Sequence, residues 1–277
     1  MSGKVQMTRR VTFSSGHRYW LSNLTEADNR ALFGPWASPF NHGHNFILDV
    51  TVEGEIDPTH GMVVNIKRID DVLRDRIVSQ FDQRSINDQI PHFANRAPSL
   101  ENLLAYIQAE LAQPDTLPLE VALAGIRLEE MPGFYGELEQ GKMTLTRTYE
   151  FAASHRLDSP HLDPATNLDL FGKCNNPAGH GHNYVLEVTV EGSPDPRTGM
   201  MVDLGELDRV VEEEVVGRYD HKNLNEDIPE FAGKTTTSEV VSQEIFNRLN
   251  SKLQALNSKL SRIRLWETAR NMFEVSA

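Results

Sequence analysis

The sequence predicts an α+β protein made of two copies of one β-β-α-α-β-β module, each with a four-stranded antiparallel sheet. Three observations predict it. A shift of 138 positions lays the chain on itself, carrying Phe13 to Phe151, His17 to His155, His42 to His180, His44 to His182 and Asp82 to Asp220. An offset held over so long a span leaves almost no room for insertions, so both copies share one fold. In each copy, runs with every second residue apolar are followed by runs with apolar residues at helical spacing. Turn chemistry recurs at the same offset, Asp57-Pro58 and Gly61-Met62 falling on Asp195-Pro196 and Gly199-Met200.

Taken in order, each copy opens with a strand, residues 7–14 and 143–152, ending just before its first histidine. A loop of Asn, Pro and Gly leads to a paired-histidine segment. A second strand follows at 46–53 (FILDVTVE) and 184–191 (YVLEVTVE), half-buried by its alternation and closed by Gly-x-x-Asp-Pro. Residues 66–81 and 204–219 read as a first helix, and Ser99 and Thr237 as N-caps of a second. A hairpin closes each module, 125–130 before Pro132-Gly133 and 263–267 before Ala269-Arg270-Asn271. The joining segment 134–142, FYGELEQGK, begins as the last strand and is too short to let the modules swing freely. The repeat therefore divides the chain into 1–141 and 142–277.

Composition narrows the function. The 277 residues suffice for two domains of ordinary size, and a net charge of -13 without a basic cluster excludes nucleic acid as partner. No apolar run approaches membrane-spanning length, and the opening MSGKVQMTRR lacks the apolar core of a signal peptide, so a soluble, cytoplasmic protein is expected. A lone cysteine, Cys174, makes no internal disulfide, which suits a reducing compartment. Small antiparallel sheets have open edges that invite pairing with other modules, so a homo-oligomer is expected.

The histidines carry the chemistry. Residues two apart on an extended segment point the same way, so His180 and His182 can chelate one ion while His155 closes the triad from the adjacent strand. His17, His42 and His44 repeat the arrangement. Three neutral imidazoles with an open fourth position describe a catalytic zinc site. The copies differ at two reactive positions: Cys174 has Trp36 as its counterpart, and His221 has Gln83.

At this point the segments FAASHRL, FGKCNNPAGHGHNY, GMMVDL, YDHKNLN, TTTSE and LWET of the second copy resemble the 6-pyruvoyl tetrahydropterin synthase family, over nearly all of residues 143–277. FSSGHR, FGPWASPFNHGHNF, GMVVNI, FDQRSIN and LEE carry a weaker likeness in the first copy. The resemblance implies the tunnelling fold (T-fold), in which modules pair edge to edge into barrels with active sites at module interfaces. It implies Zn²⁺ on His155, His180 and His182, Cys174 as general base with Asp220 and His221 as relay partners, and Glu267 as pterin anchor supported by Thr236 and Thr237. Each role is chemically sound: a cysteine near histidine and a dication loses its proton more readily, and a carboxylate accepts hydrogen bonds from the donor edge of a pterin.

The implied reaction is conversion of 7,8-dihydroneopterin triphosphate, with Mg²⁺ on its phosphates, to 6-pyruvoyl tetrahydropterin and triphosphate. It is an internal redox rearrangement, and no GxGxxG fingerprint is present. The alternative within the superfamily is 6-carboxytetrahydropterin synthase of the queuosine route, which places its cysteine closer to its HGH. Here residues 175–179 lie between Cys174 and His180, which favours the pyruvoyl product. A pterin-binding module without turnover, or a zinc hydrolase needing no thiol, are the readings from other classes. The first copy keeps His17, His42, His44, Asp82 and Glu130, the last aligning with Glu267 after a one-residue slip. With Trp36 filling the base position and Gln83 unable to relay protons, the first copy is degenerate and completes the assembly. Catalytic sites are expected between second copies of different chains, in a trimer of tandem chains.

Overall fold

A computed structural model describes residues 3–254 and 259–277. The chain forms two compact units, Met1–Leu145 with Gly192–Met201, and Thr146–Glu191 with Val202–Ala277. The segment Gly192–Met201, which belongs to the second repeat, thus packs with the first unit.

In unit 1, β1 (Val5–His17) pairs antiparallel with β2 (His42–Gly54), with Phe13 opposite Phe46 and His17 opposite His42. A two-residue strand β3 (Arg84–Ser85) runs parallel to β1 at Ser15 and Gly16. On the other side of β2 lies β4 (Ala122–Met131), which turns at Pro132-Gly133 into β5 (Phe134–Glu139). Gly133 has φ +77, a left-handed conformation that glycine adopts without steric cost. Unit 2 repeats the plan with β6 (Lys142–His155, entering the unit at Thr146), β7 (His180–Glu191), the short β8 (Lys222–Asn223), β9 (Lys259–Thr268) and β10 (Asn271–Ser276). The α+β module of four main antiparallel strands and two principal helices is as the sequence predicts.

Side chains alternate across a strand, so β2 buries Phe46, Leu48, Val50 and Val52 and β7 buries Tyr184, Leu186, Val188 and Val190. The helices cover these faces. Leu100–Leu111 and Ser238–Leu253 begin at their expected caps, the Ser99 hydroxyl accepting from Asn102 N–H and that of Thr237 from Val240 N–H.

The first helix of each unit has a feature that its sequence spacing explains. Ile66–Leu73 continues through a π-turn, Arg74–Val78, into Ser79–Phe81; Leu204–Val211 continues through Glu212–Val216 into Gly217–Tyr219. Its buried residues step by four: Ile69, Leu73, Ile77 and Phe81, matched by Leu207, Val211, Val215 and Tyr219, all with no exposure. Four residues overshoot an α-helical turn by about 40°, so a stripe with that spacing drifts off the core face. The wider i→i+5 turn takes up the drift.

Three expectations need correction. The opening strands run on through His17 and His155, because the partner strand supplies ladder bonds as far as His42 in unit 1. The connection after each first histidine contains a helix, Glu26–Phe33 and Pro164–Phe171, capped by Thr25 and Asp163. The short parallel strands β3 and β8 were not foreseen; two residues leave no periodicity to read.

Candidate metal centre

Each unit brings its three histidines together: His17, His42 and His44 in unit 1, and His155, His180 and His182 in unit 2, with one ring nitrogen of each within 4.8 Å of the others in its set. Strand geometry does this. His42 and His44 share a face of β2, as His180 and His182 share a face of β7, and the opening strand ends on its histidine beside them.

The tautomers prepare the sites. His155 Nδ1 lies 2.8 Å from the Thr236 carbonyl, and His17 Nδ1 lies 3.0 Å from that of Pro98. A carbonyl only accepts, so each Nδ1 carries the proton and leaves an Nε2 lone pair facing the cluster. Pro98 and Thr236 are equivalent positions with unlike side chains, so the tether is the backbone carbonyl. Burial, followed by His42 and His44, holds His17 down at about 3, and burial first also lowers His155. His17 and His155 are therefore neutral, as metal ligands must be.

The nitrogens fit a cation. His155 Nε2, His180 Nδ1 and His182 Nε2 are buried without a hydrogen bond, as are His17 Nε2 and His44 Nε2. A buried polar atom left so costs roughly 1–3 kcal/mol, which a shared dication would relieve. Glu267 stands beside the second triad, Oε1 3.7 Å from His155 Nε2 and 3.9 Å from His182 Nε2. It accepts from Ser238 Oγ at 2.7 Å and from Asn271 Nδ2 at 3.3 Å. Burial pushes its carboxyl up, but these donors and the two histidines outweigh burial and leave it below the usual range. Glu130 holds the matching place, 3.4 Å from His44 Nε2. The one-residue slip is visible in the registers: Ile47 faces Glu129 in unit 1, and Val185 faces Trp266 in unit 2.

The structure places the remaining predicted residues as follows. Thr236 Oγ1 bonds to the Arg156 carbonyl, and the Thr237 hydroxyl caps its helix. The hydroxyl of this run that touches Glu267 is instead that of Ser238. Cys174 lies half-buried in the turn Gly172–Asn175, its carbonyl accepting from Leu157 N–H. Its counterpart Trp36 does not fill a pocket, being 38% exposed. Asp220 Oδ1 accepts from Ala152 N–H and Oδ2 lies 2.7 Å from His221 Nδ1. The Ala152 N–H, then His221, holds the Asp220 carboxyl below the ordinary range.

His221 sits at φ +57 with its side chain 83% exposed, and Gln83 repeats the strained φ of +57. In both units the residue's N–H donates to the opening strand, Gln83 to the Ser14 carbonyl and His221 to that of Ala152, which holds this backbone shape. Beside His221 runs a groove of about 450 Å³ lined by residues 152–154, 181–183 and 221–223; unit 1 has its twin at Gln83. Among the described residues no hydrogen bond joins Cys174 to Asp220 or His221.

Fold and site define a duplicated α+β protein with, in each unit, one histidine triad that could hold a metal ion and one neighbouring glutamate. The family model for 6-pyruvoyl tetrahydropterin synthase matches residues 6–140 and again 144–277, and the chain belongs to that family. It is similar to the human 6-pyruvoyl tetrahydrobiopterin synthase, 44% identical over 128 residues, 46% of this chain and 87% of the human protein. The Drosophila melanogaster protein of the same name is 43% identical over 128 residues, 46% of this chain and 76% of its own. The solved Caenorhabditis elegans 6-pyruvoyl tetrahydropterin synthase aligns at 38% identity with a TM-score of 0.45, covering 48% of this chain and 94% of that one. Among the described residues no helix is long and apolar enough to cross a membrane.

Proposed function

We propose that the protein is a zinc-dependent 6-pyruvoyl tetrahydropterin synthase of the cytoplasm, converting 7,8-dihydroneopterin triphosphate to 6-pyruvoyl tetrahydropterin and triphosphate. The observation that carries the reading is the convergence of three unpartnered imidazole nitrogens beside Glu267 in the one unit that also holds a cysteine and an Asp-His pair. Residues 142–277 are the catalytic module and 1–141 the degenerate one.

His155, His180 and His182 would hold the ion, whose Lewis acidity toward the substrate's side-chain hydroxyls favours loss of protons from the attached carbons. Glu267, kept ionised by Ser238 and Asn271, accepts hydrogen bonds from the amino group and ring N–H of the pterin, with the 236–237 segment supporting that pocket. Cys174 removes a proton from a side-chain carbon, and His221, oriented by Asp220, takes it up and returns it to the substrate. Triphosphate, accompanied by Mg²⁺, departs. The side-chain carbons are oxidised while the pterin ring is reduced, so electrons balance within one molecule and no redox partner is required.

No hydrogen bond joins Cys174 to His221 among the described residues of unit 2, and in this reading the Asp220-His221 pair serving each Cys174 comes from the second module of another chain, in a trimer of tandem chains. The first module keeps the metal frame without the groups that move protons, and so binds without turning over.

Product identification by mass spectrometry, with zinc-loaded protein, Mg²⁺ and 7,8-dihydroneopterin triphosphate, tests the reading. 6-Pyruvoyl tetrahydropterin with released triphosphate is the expected outcome. A 6-carboxy product moves the protein to the queuosine branch, and absence of turnover overturns the proposal.

A further inference from the structure

In unit 2 the strand end that carries His155 also holds the turn that carries Cys174. Leu157 N–H donates to the Cys174 carbonyl at 2.9 Å, and the next residue of the turn, Asn175, returns the bond, its Nδ2 donating to the Leu157 carbonyl at 2.7 Å. Nδ2 also donates to Asp158 Oδ1 at 2.7 Å. Arg156 closes the set: its Nε donates to the Asn175 carbonyl at 3.0 Å, and its Nη2 to Asp158 Oδ1 at 3.0 Å and to Asn175 Oδ1 at 3.4 Å. With oxygens around Nδ2 and a guanidinium on Oδ1, the amide has one orientation. Asn175 is only 6% exposed, so little water competes for these bonds. Behind the clamp stands the residue that orients the metal ligand. Thr236 accepts from His155 Nδ1 through its carbonyl and donates through Oγ1 to the Arg156 carbonyl at 3.2 Å. Tether, strand end and cysteine turn thus form one hydrogen-bonded body.

Unit 1 keeps the backbone course of this region without the clamp. Gly34 and Gly172 open the two turns at φ +53 and +52, and Tyr19 and Ala37 form a bridge where Leu157 meets the cysteine turn. Asn87 binds both backbone groups of Arg18, as Asn225 binds those of Arg156. The positions that make the clamp are altered together with the cysteine: Ala37 stands for Asn175, Trp20 for Asp158, and Pro98, with no hydroxyl, for Thr236. The Arg18 guanidinium turns elsewhere, to Asp88 at 2.6 Å and Asn41 at 2.9 Å. The turn holds its course in unit 1 without these side chains, so the fold alone does not call for them.

We propose that Asn175, held by Arg156 and Asp158, is a positioning residue for Cys174: it fixes the turn of the thiol to the strand end of His155, so that base and metal ligand keep one spacing. A proton abstraction tolerates little error in that spacing, because the thiolate must reach a carbon whose position the metal sets. The inference deepens the catalytic reading of unit 2 and rests on Cys174 as its base.

Cys174 is the only cysteine of the chain, so alkylation by iodoacetamide reports on it alone. Asn175→Ala, which installs the unit 1 residue, is expected to speed alkylation at least about threefold as the half-buried thiol gains freedom. It should lower kcat about 10²-fold, the cost of a small misplacement, with KM and zinc content within about twofold of wild type. Asp158→Ala should act in the same direction, while Asp158→Asn, which keeps an oxygen able to accept both bonds, should restore most of the lost kcat. Unchanged alkylation in Asn175→Ala overturns the proposal, and so does a loss of kcat matched by a loss of zinc or of pterin affinity, which marks general damage. The two readings fail separately: wild-type turnover in Cys174→Ala overturns the base and with it the reading beneath, whereas unchanged alkylation overturns the clamp alone. Should Asn175→Ala misfold by circular dichroism, the two Asp158 variants decide by the same readouts.

Discussion

The two units share a histidine-triad frame that could hold a metal and differ in what stands around it. In both, a carbonyl tethers the first histidine, strands present the other two, and a glutamate stands within 4 Å of a ring nitrogen. In both, an aspartate is clamped to the opening strand, Asp82 by Ser14 N–H and Asp220 by Ala152 N–H. The differences are side chains on turns, Trp36 for Cys174 and Gln83 for His221. The frame is held by backbone hydrogen bonds and core packing, whereas the groups proposed to move protons, half-buried Cys174 and exposed His221, sit on turns. Their loss would therefore cost the fold little and the proposed chemistry everything.

The largest expected effect follows from removing one tethered histidine. His155→Ala should empty the unit 2 site of metal and lower turnover by at least about 10⁴-fold, since substrate activation and positioning fail together. His17→Ala should remove one metal equivalent and leave turnover within about twofold if, as proposed, the first unit does no chemistry. Elemental analysis beside steady-state rates checks both; comparable losses of activity would show that the units are not divided as proposed.

Next comes the base. Cys174→Ala should cost about 10²–10⁴-fold in kcat with pterin affinity preserved, in the range of general base catalysis, while Trp36→Ala changes kcat less than twofold. Rates that survive Cys174→Ala would favour zinc-hydrolase chemistry.

A smaller effect separates the units by pH. Burial pushes the Glu101 carboxyl up to about 6 from an ordinary 4.5, against the hydrogen bonds it accepts. Between those values the folded state binds the extra proton, so the contribution of Glu101 to stability is full below pH 4.5 and is lost as pH rises through the window. The loss amounts to about 2 kcal/mol. Urea unfolding from pH 4 to 7 should show this slope, and Glu101→Gln should flatten it.

Much of this was legible. The offset located both triads, the caps at Ser99 and Thr237, and the slip between Glu130 and Glu267. The helices Glu26–Phe33 and Pro164–Phe171 escaped because their signal is not an apolar stripe. Their inward anchor is polar: Asn29 exchanges hydrogen bonds with the Leu21 backbone and Asn167 does the same with Ser159, each buried. Periodicity is blind to such a clamp, although Thr25 and Asp163 stand as readable caps. Ser238 escaped because a hydroxyl within a run of hydroxyls carries no spacing of its own. The docked Gly192–Met201 segment was illegible because a turn sequence does not say what it rests on.

That last segment supplies the smallest contrast. Ser99 and Thr237 are equivalent caps, and truncating either to alanine removes a hydrogen bond to the helix N-terminus worth about 1 kcal/mol. Ser99 also donates to the Gly199 carbonyl in a buried setting, so Ser99→Ala leaves that acceptor unsatisfied and should cost about 1–2 kcal/mol more. The Thr237 hydroxyl has no such second partner among the described residues, so Thr237→Ala should cost the cap alone. Urea midpoints of the two single variants read the difference directly. Equal shifts would mean that the Ser99–Gly199 hydrogen bond adds nothing to stability and that the two caps act alike despite their different surroundings.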